Sequence, residues 1–216
     1  VPTYNESVAV VRKTLIAALA MDYPHRTWLL DDGNRPEMRA LCDELGCAYL
    51  FRTDNAHAKA GNLNEALAKT DGQFIAVFDA DHAPHKAFLA DTLGYFNDDS
   101  VAFVQTPQDF YNLDSYQHRW RVNGRTVWTE QSLFFRVIKR GKDAHEAAFY
   151  CGSCAIIRRA ALERIGGFAT GTVTEDLHTS IRLHAAGYRS VYHARPLAFG
   201  IAPESMVPYD RIYTSQ

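Results

Sequence analysis

Apolar residues in the first half of the chain form short runs, separated by longer stretches in which apolar and polar residues recur with helical spacing. The short runs are rich in aromatic and β-branched residues, which is typical of strands buried in a parallel sheet. They lie at 27–30, 48–51, 74–78 and 101–105. The other stretches predict helices at about 6–20, 36–45, 63–69 and 86–96. This alternation predicts an α/β fold, with a mostly parallel sheet and helices on both of its faces.

The pattern changes after Gln108, where the spacing predicts a long helix at 113–140 that carries many Arg and Lys residues. Such a helix can lie on a membrane surface or a partner. The sequence favours the simpler interpretation, in which one face packs on the core and the charged residues face water. Later stretches predict a strand at 155–157, a helix at 160–165, a helix ending at 186 and a strand at 188–193. Thr172 and Glu175 predict a capping box before the helix that ends at 186.

Composition and charge narrow the class of protein. A length of 216 residues, 47% hydrophobic and 22% charged, suits one soluble globular domain. A net charge of -2 gives no general attraction to nucleic acid or anionic membrane. The longest apolar-leaning run, 147–157, is far shorter than the ~20 residues that cross a bilayer. The four cysteines, in one C-x₂-C and one C-x₄-C, leave a zinc site open, but reduced thiols are the favoured interpretation.

Two aspartates, Asp79 and Asp81, directly follow the apolar run at 74–78. Ligands of open α/β sheets bind at the carboxyl ends of strands, so this pair predicts a clamp for Mg²⁺ or Mn²⁺. The alternative is an acidic turn in which Asp81 caps the next helix. Asp32 also follows a predicted strand, on the same expected rim, and this favours the ligand site. The neighbouring His82 is expected at the surface or in a hydrogen bond.

A second acidic site, Glu175-Asp176, opens the helix that ends at 186. Spacing alone favours simple helix-start chemistry, because the helix dipole attracts negative charge there. The functional alternative is a general base that removes a hydroxyl proton while a metal site stabilises a departing phosphate. Lys59, expected in a loop at a helix start, adds a cation beside any phosphate. The sequence lacks the phosphate-loop, dinucleotide, zinc-protease and nucleophile-elbow motifs.

Six short motifs follow one another in an order found in one enzyme family. They are Pro2-Thr3-Tyr4-Asn5-Glu6, Asp31-Asp32-Gly33, Lys59-Ala60-Gly61-Asn62, Asp79-Ala80-Asp81-His82, Phe149-Tyr150-Cys151-Gly152-Ser153 and Thr174-Glu175-Asp176. In these motifs and their order along the chain, the protein resembles the processive family 2 glycosyltransferases. The D-A-D-H and F-Y-C-G-S motifs are most similar to those in the catalytic domain of the bacterial cellulose synthases.

The resemblance implies a GT-A fold that makes a single domain of residues 1–216. About 1–108 would be the nucleotide- and metal-binding half, and 109–216 the acceptor and catalytic-base half. The implied reaction is inverting transfer of glucose from UDP-glucose to the 4-hydroxyl of a growing β-1,4-glucan. Asp176 would be the catalytic base, and Asp79 and Asp81 would hold Mg²⁺ or Mn²⁺. Cys151 and Glu175 would lie at the acceptor. The nucleotide would be bound by Thr3, Tyr4, Glu6, Asp32, Lys59 and Asp79.

Parts of the family pattern are missing from this sequence. The Q-x-x-R-W motif is absent, although Gln216 is a candidate for its first residue, and the strand before Pro2 is very short. We therefore expect a poorly filled central sheet position, and a chain that binds UDP and metal without polymerase activity. The full-length protein is expected on the cytoplasmic face of the inner (plasma) membrane, through segments absent from this chain.

The expected partners are UDP-glucose and the growing glucan, and no nucleic acid. Two alternatives remain open. One is a synthase of another β-linked polysaccharide, since sugar choice depends on contacts in the pocket. The other is a catalytically inactive domain that binds a sugar nucleotide, against which the presence of all the acidic residues counts.

Overall fold

The structure, a computed structural model, describes residues 1–110, 121–122, 125–126 and 130–200. The strands are β1 (Pro2–Thr3), β2 (Trp28–Asp31), β3 (Ala48–Phe51), β4 (Phe74–Val77), β5 (Ala83–Pro84), β6 (Val101–Gln105), β7 (Asp109–Phe110), β8 (Arg121–Val122), β9 (Arg125–Thr126), β10 (Ala155–Arg158), β11 (Arg189–Tyr192) and β12 (Ala198–Gly200). The helices are α1 (Val8–Leu19), α2 (Pro36–Leu45), α3 (Ala58–Lys69), α4 (Phe88–Thr92), α5 (Glu130–Leu133), α6 (Lys139–Ala144), α7 (Arg159–Arg164) and α8 (Glu175–Ala185). A 3₁₀ turn, Leu93–Asn97, continues α4, and a π-helical turn, Phe134–Ile138, joins α5 to α6.

The strands form two larger sheets. One is parallel, in the order β1-β2-β3, and the other is mixed, in the order β11-β6-β10-β4. Strand β11 runs parallel to β6, whereas β10 runs antiparallel to both β6 and β4. The alternation of strands and helices in the first half is confirmed, and β10 is the exception to the expected parallel direction. Ala155, the first residue of β10, therefore pairs with Val77 and Gln105, the last residues of β4 and β6.

The prediction of a long helix at 113–140 is wrong for the residues of its first half that the structure describes. Residues Arg121–Val122 and Arg125–Thr126 pair as an antiparallel hairpin, and the helix begins at Glu130. The sequence between the two strands is Asn-Gly, the dipeptide most typical of a two-residue hairpin loop. Residues 113–120, 123–124 and 127–129 of that prediction lie outside the described part of the chain.

Two smaller predictions about helix starts are also wrong. Helix α3 begins at Ala58 and not at 63, so Lys59 lies in the first turn of a helix and not in a loop. Helix α8 begins at Glu175, and its N-cap Thr174 makes no side-chain cap. The predicted capping box therefore does not form. The hydroxyl of Thr172 contacts the His178 ring instead.

The main core lies where helices cover the mixed sheet. Val77, Phe103 and Ile157 from three of its strands pack with Leu183 of α8 in one buried cluster. The central position beside β1 is poorly filled, as expected, because β1 has only two residues. A groove of about 950 Å³ lies there, lined by residues of β2 and of β4. Among the described helices, none has the length and apolar character needed to cross a membrane.

One glycine ends a helix and another lies inside a helix, and replacing each by alanine should change the stability in opposite directions. Gly46 ends α2 with a φ of +74°, where a Cβ is strained although nothing lies within 4 Å, so Gly46→Ala should lower the free energy of unfolding by roughly 1 kcal/mol. Gly141→Ala, within α6 and equally unobstructed, should raise it by about 0.5–1 kcal/mol because alanine favours the helix. Urea denaturation measures both, and shifts of the same sign would contradict the explanation.

Candidate active site

A buried ion pair joins the end of β2 to the start of α3. Arg52, directly after β3, binds the carboxylate of Asp32 through Nε and, at 2.8 Å, through Nη2. The same guanidinium donates to the carbonyl oxygens of Ala56 (2.6 Å) and Ala58 (2.8 Å). Both charged side chains are only 7% exposed. This pair therefore holds the first turn of α3 against the rim on which Asp32 lies.

Lys59, in that first turn, contacts the carboxylate of Asp79 beyond β4. Burial by itself lowers the pKa of Lys59, but the nearby carboxylates, Asp79 above all, outweigh it and raise the pKa above its ordinary value. Glu175 and Asp176 contribute to the same rise. Lys59 is therefore a permanent cation between the two acidic sites that the sequence indicates.

The loop before β10 brings these acidic sites together at Gly152. This residue has a φ of +76°, and a Cβ on it would lie 3.4 Å from Nζ of Lys59 and 3.6 Å from Oδ2 of Asp176. The loop is held in place by two hydrogen bonds. The Tyr150 hydroxyl donates to the Gly152 carbonyl at 2.7 Å, and the backbone N–H of Asp79 donates to Oγ of Ser153 at 2.9 Å. The cation and Asp176 thus meet at one glycine, and the cation connects them to Asp79.

Asp79, Asp81 and His82 form a group whose ligand atoms all lie within 4.8 Å of one another. His82 Nδ1 contacts Asp81 Oδ1 at 2.9 Å, so His82 makes the expected hydrogen bond, although its ring is buried and not at the surface. Burial by itself raises the pKa of Asp81, but His82 outweighs it and the pKa lies below its usual value. Two carboxylates fit the hard oxygen ligands that Mg²⁺ and Mn²⁺ prefer.

The N-terminal motif forms a separate network of hydrogen bonds beside this rim. Oε2 of Glu6 accepts from the Thr3 hydroxyl at 2.6 Å and from the Tyr4 backbone N–H at 2.9 Å. Arg35 braces the motif by donating to the Thr3 hydroxyl at 2.9 Å and to the Glu6 carbonyl at 2.7 Å. A cavity of about 730 Å³, which Asp32 also lines, opens beside Tyr4 and Glu6. Tyr4 is exposed, so its ring is available to a ligand.

Asp176 lies in the first turn of α8, partly buried, next to Glu175. Its Oδ1 accepts the backbone N–H of Leu177 at 2.7 Å, which leaves Oδ2 beside Gly152 without that partner.

Cys151 is held by its backbone N–H, which donates to Oε1 of Gln105 at 2.8 Å. Burial raises the pKa of its thiol to about 11, so the thiol stays protonated at neutral pH.

The four cysteines are all unpaired thiols. Among the described residues, the group around Asp79 is the one set of three or more candidate ligands close enough to hold a metal ion. The cysteines form no such set, so the structure agrees with reduced thiols and gives the zinc alternative no support.

Comparison with known protein families identifies the family of this chain. Residues 1–166 match the family described as Glycosyl transferase family 2. The chain belongs to this family. The acidic rim of this family 2 glycosyltransferase domain is therefore its candidate active site.

Curated relatives narrow the comparison. The glycosyltransferase is 47% identical over 210 residues to the UDP-forming cellulose synthase catalytic subunit of Xanthomonas axonopodis pv. citri, covering 95% of this chain and 29% of the relative. It is 47% identical over 211 residues to cellulose synthase 1 of Komagataeibacter xylinus, covering 96% of this chain and 14% of the relative. The chain thus spans less than a third of the length of these relatives.

Solved structures share the fold. A mannosyltransferase from Pyrobaculum calidifontis, in complex with GDP-Man and Mn²⁺, superposes with a TM-score of 0.68 and 22% identity, over 99% of this chain and 59% of that one. TarS of S. aureus, residues 1–349 with UDP-GlcNAc, gives a TM-score of 0.64 and 16% identity, over 95% and 58% of the two chains. These likenesses confirm the expected GT-A fold of the family 2 glycosyltransferase.

Sequence reasoning missed the basic and polar residues that position the acidic ones. Arg52 follows the carboxyl end of β3, the same kind of position that drew attention to Asp32, so its place in the sequence was a usable signal. Ser153 belongs to a motif that the sequence highlights, yet its bond to Asp79 spans 74 residues. Arg35 carried no signal, because nothing in the local pattern links it to Thr3.

Gly61 is predicted to be essential for this arrangement. A Cβ there would overlap the carbonyl oxygen of Ala56, which Arg52 binds, so Gly61→Ala should displace the first turn of α3 and lower the free energy of unfolding by about 2–3 kcal/mol. Gly94→Ala is the matched control, since nothing lies within 4 Å of that position. Urea denaturation compares the two, and similar small effects would show that the close contact at Gly61 is not needed.

Proposed function

We propose that this glycosyltransferase transfers glucose from UDP-glucose, with inversion, to the 4-hydroxyl of a growing β-1,4-glucan. The proposal rests on the likeness to cellulose synthases and on one observation. Nζ of Lys59 and Oδ2 of Asp176 flank the same point at Gly152, and Lys59 also contacts Asp79. A proton acceptor therefore faces the cation and carboxylates that suit a diphosphate and its metal ion. Inverting transfer needs the attacking hydroxyl and the leaving group to meet in this way.

Asp176 is the proposed base. Its Oδ1 is engaged by the Leu177 N–H, so Oδ2, the oxygen nearer Gly152, takes the proton from the acceptor 4-hydroxyl. The freed acceptor oxygen forms a bond to C1 of the donor glucose as the bond from C1 to the diphosphate oxygen breaks. UDP leaves with that electron pair, and the α-linked donor becomes a β-linked product. Glu175 and Cys151, the sequence neighbours of Asp176 and Gly152, are the proposed acceptor contacts.

Lys59 and the aspartates beyond β4 face the departing diphosphate. Lys59 supplies positive charge to the phosphate oxygens. Asp81 is proposed as the firmer metal ligand, because Asp79 already contacts the Lys59 ammonium, whereas Asp81 contacts the neighbouring His82 ring. When bound there, Mg²⁺ or Mn²⁺ stabilises negative charge on the leaving group.

The nucleotide is proposed to lie in the cavity beside the N-terminal motif. Tyr4 and Asp32 line it together with Glu6, and the hydrogen-bonded Thr3 braces its wall. The Asp32 carboxylate is occupied by Arg52, so contact with uridine would use either the remaining lone pairs or Arg52 itself. In the full-length protein, we propose that this site lies on the cytoplasmic face of the plasma membrane, to which other segments attach it.

The base assignment predicts a sharp difference between two neighbouring carboxylates. Asp176→Asn in the full-length protein should reduce glucan synthesis by about 10²–10⁴-fold, because an amide accepts no proton. Affinity for UDP should change less than about twofold, since Asp176 lies on the acceptor side. Radiolabelled UDP-glucose incorporation and UDP competition measure the two quantities. Glu175→Gln, the matched control, should lose far less activity, and equal losses would contradict the assignment.

The metal site predicts how the isolated chain binds nucleotide. Calorimetry should detect UDP binding in the presence of Mn²⁺, and Asp81→Ala should weaken that binding by about tenfold or more. Asp71→Ala is the control, because the Asp71 side chain is 89% exposed. Absence of heat with the native chain, or equal heat with Asp81→Ala, would contradict the proposed site.

Donor and product are tested in membranes that contain the full-length protein. UDP-glucose should be incorporated in preference to UDP-N-acetylglucosamine and UDP-galactose, and a β-1,4-endoglucanase should release the product. Incorporation of another sugar would indicate a different β-linked polysaccharide. UDP binding without incorporation of any sugar would indicate a binding domain without catalysis.

A further inference from the structure

Lys139 is a fully buried lysine that the proposed reaction does not use. Its residue exposure is 0%, and it begins α6, directly after the π-helical turn. Turns of this kind occur often at functional sites. Among the described residues, no carboxylate lies within salt-bridge distance of its ammonium. A buried ammonium without an ion pair is costly, so a lysine here needs an explanation beyond filling space.

Three aromatic rings and one carbonyl oxygen surround the Lys139 ammonium. The Phe149 ring centroid lies 3.5 Å from Nζ, with Tyr192 at 5.8 Å and Phe134 at 5.9 Å. Nζ also donates to the carbonyl oxygen of Phe149. Ring faces attract a cation when water is excluded, so this aromatic cage favours a charged group over a neutral one.

The same carbonyl connects Lys139 to the loop at the candidate active site. The Phe149 carbonyl also accepts from the Cys151 thiol at 3.7 Å. Gln105 and Gln108 hold the backbone of Cys151. Its N–H donates to Oε1 of Gln105 at 2.8 Å, and its carbonyl oxygen accepts from Nε2 of Gln108 at 3.1 Å. The next residue is Gly152, beside Asp176 and Lys59. Lys139 thus contacts the loop at Phe149, and Lys59 lies near the same loop at Gly152.

We propose that Lys139 is a positioning residue, whose charge within the cage of Phe134, Phe149 and Tyr192 holds the loop 149–152 against Asp176. The proposal builds on the proposed glycosyl transfer but concerns the order of the loop. Loss of the charge should free the Phe149 carbonyl and move Cys151 and Gly152 relative to the base. Donor binding should persist, because the nucleotide cavity beside Tyr4 is formed by other residues.

The first test measures loop order and does not depend on activity. Lys139→Met keeps much of the side-chain volume and removes the charge, whereas Lys142→Met removes an exposed charge from the same helix. Hydrogen–deuterium exchange of the folded full-length protein should show at least tenfold faster exchange at 149–153 in Lys139→Met only. Should Lys139→Met fail to fold, Lys139→Gln replaces it. Unchanged exchange at 149–153 would overturn the proposal, whatever reaction the protein catalyses.

The second test separates positioning from a merely structural contribution. In membranes, Lys139→Met should lower kcat for glucan synthesis at least tenfold, with the KM for UDP-glucose within twofold of wild type. Lys139→Arg, which restores the cation, should recover most of kcat. Equal kcat in wild type and Lys139→Met, or no recovery with Arg, would overturn the proposal. An inactive wild type with faster exchange at 149–153 in Lys139→Met would refute the proposed reaction and leave the positioning role supported.

Discussion

The direction of β10 is the constraint on which the candidate site depends. Because this strand runs antiparallel between β4 and β6, its first residue stands beside their last residues, Val77 and Gln105. The loop before β10 is thereby delivered to the rim that carries Asp79. A parallel strand in the same place would begin about 10 Å away, beside the first residues of β4 and β6. The bond from Asp79 to Ser153 and the approach of Gly152 to Asp176 both follow from this one reversal.

The rim is acidic, yet three of its aspartates are matched by Arg or Lys side chains. Arg52 pairs with Asp32, Arg35 with Asp31, and Lys59 with Asp79. Each pair offsets the cost of burying a carboxylate, so the site can form before any ligand arrives. The same cations also suit phosphate oxygens, because phosphate oxygens carry negative charge as carboxylate oxygens do. In the proposed function, binding of a sugar nucleotide would be an exchange of partners within a site that is already formed.

Two lysines lie at different points of the loop before β10, and their surroundings differ. Lys59 is paired with carboxylates, so neighbouring charge raises its pKa despite burial. Lys139 lies among aromatic rings, and burial lowers its pKa, although Cys151 and Asp176 oppose the shift. The first can exchange its carboxylate partner for a phosphate. The second has no such exchange available, which suits a group that keeps the loop in place.

The sequence by itself determined the class of fold, the helices and strands of the first half, and the identity of the acidic residues. These follow from local hydrophobic periodicity and from short motifs, which act over a few residues. The tertiary structure alone decided which residues meet, because those contacts join distant parts of the chain. Arg52 and Asp32 are 20 residues apart, and Asp79 and Ser153 are 74 apart.

The errors have the same physical origin. The hairpin at 121–126 resembles a helix in its apolar spacing, since Asn-Gly is a short signal within a long amphipathic pattern. The direction of β10 left no trace in its composition, because buried parallel and antiparallel strands are equally apolar. Contacts such as the bond from the Asp79 N–H to Ser153 depend on where the chain returns, not on which residues lie nearby in sequence. The sequence therefore supplies Asp176 and Lys59, and the return of the chain through β10 places Gly152 beside both of them.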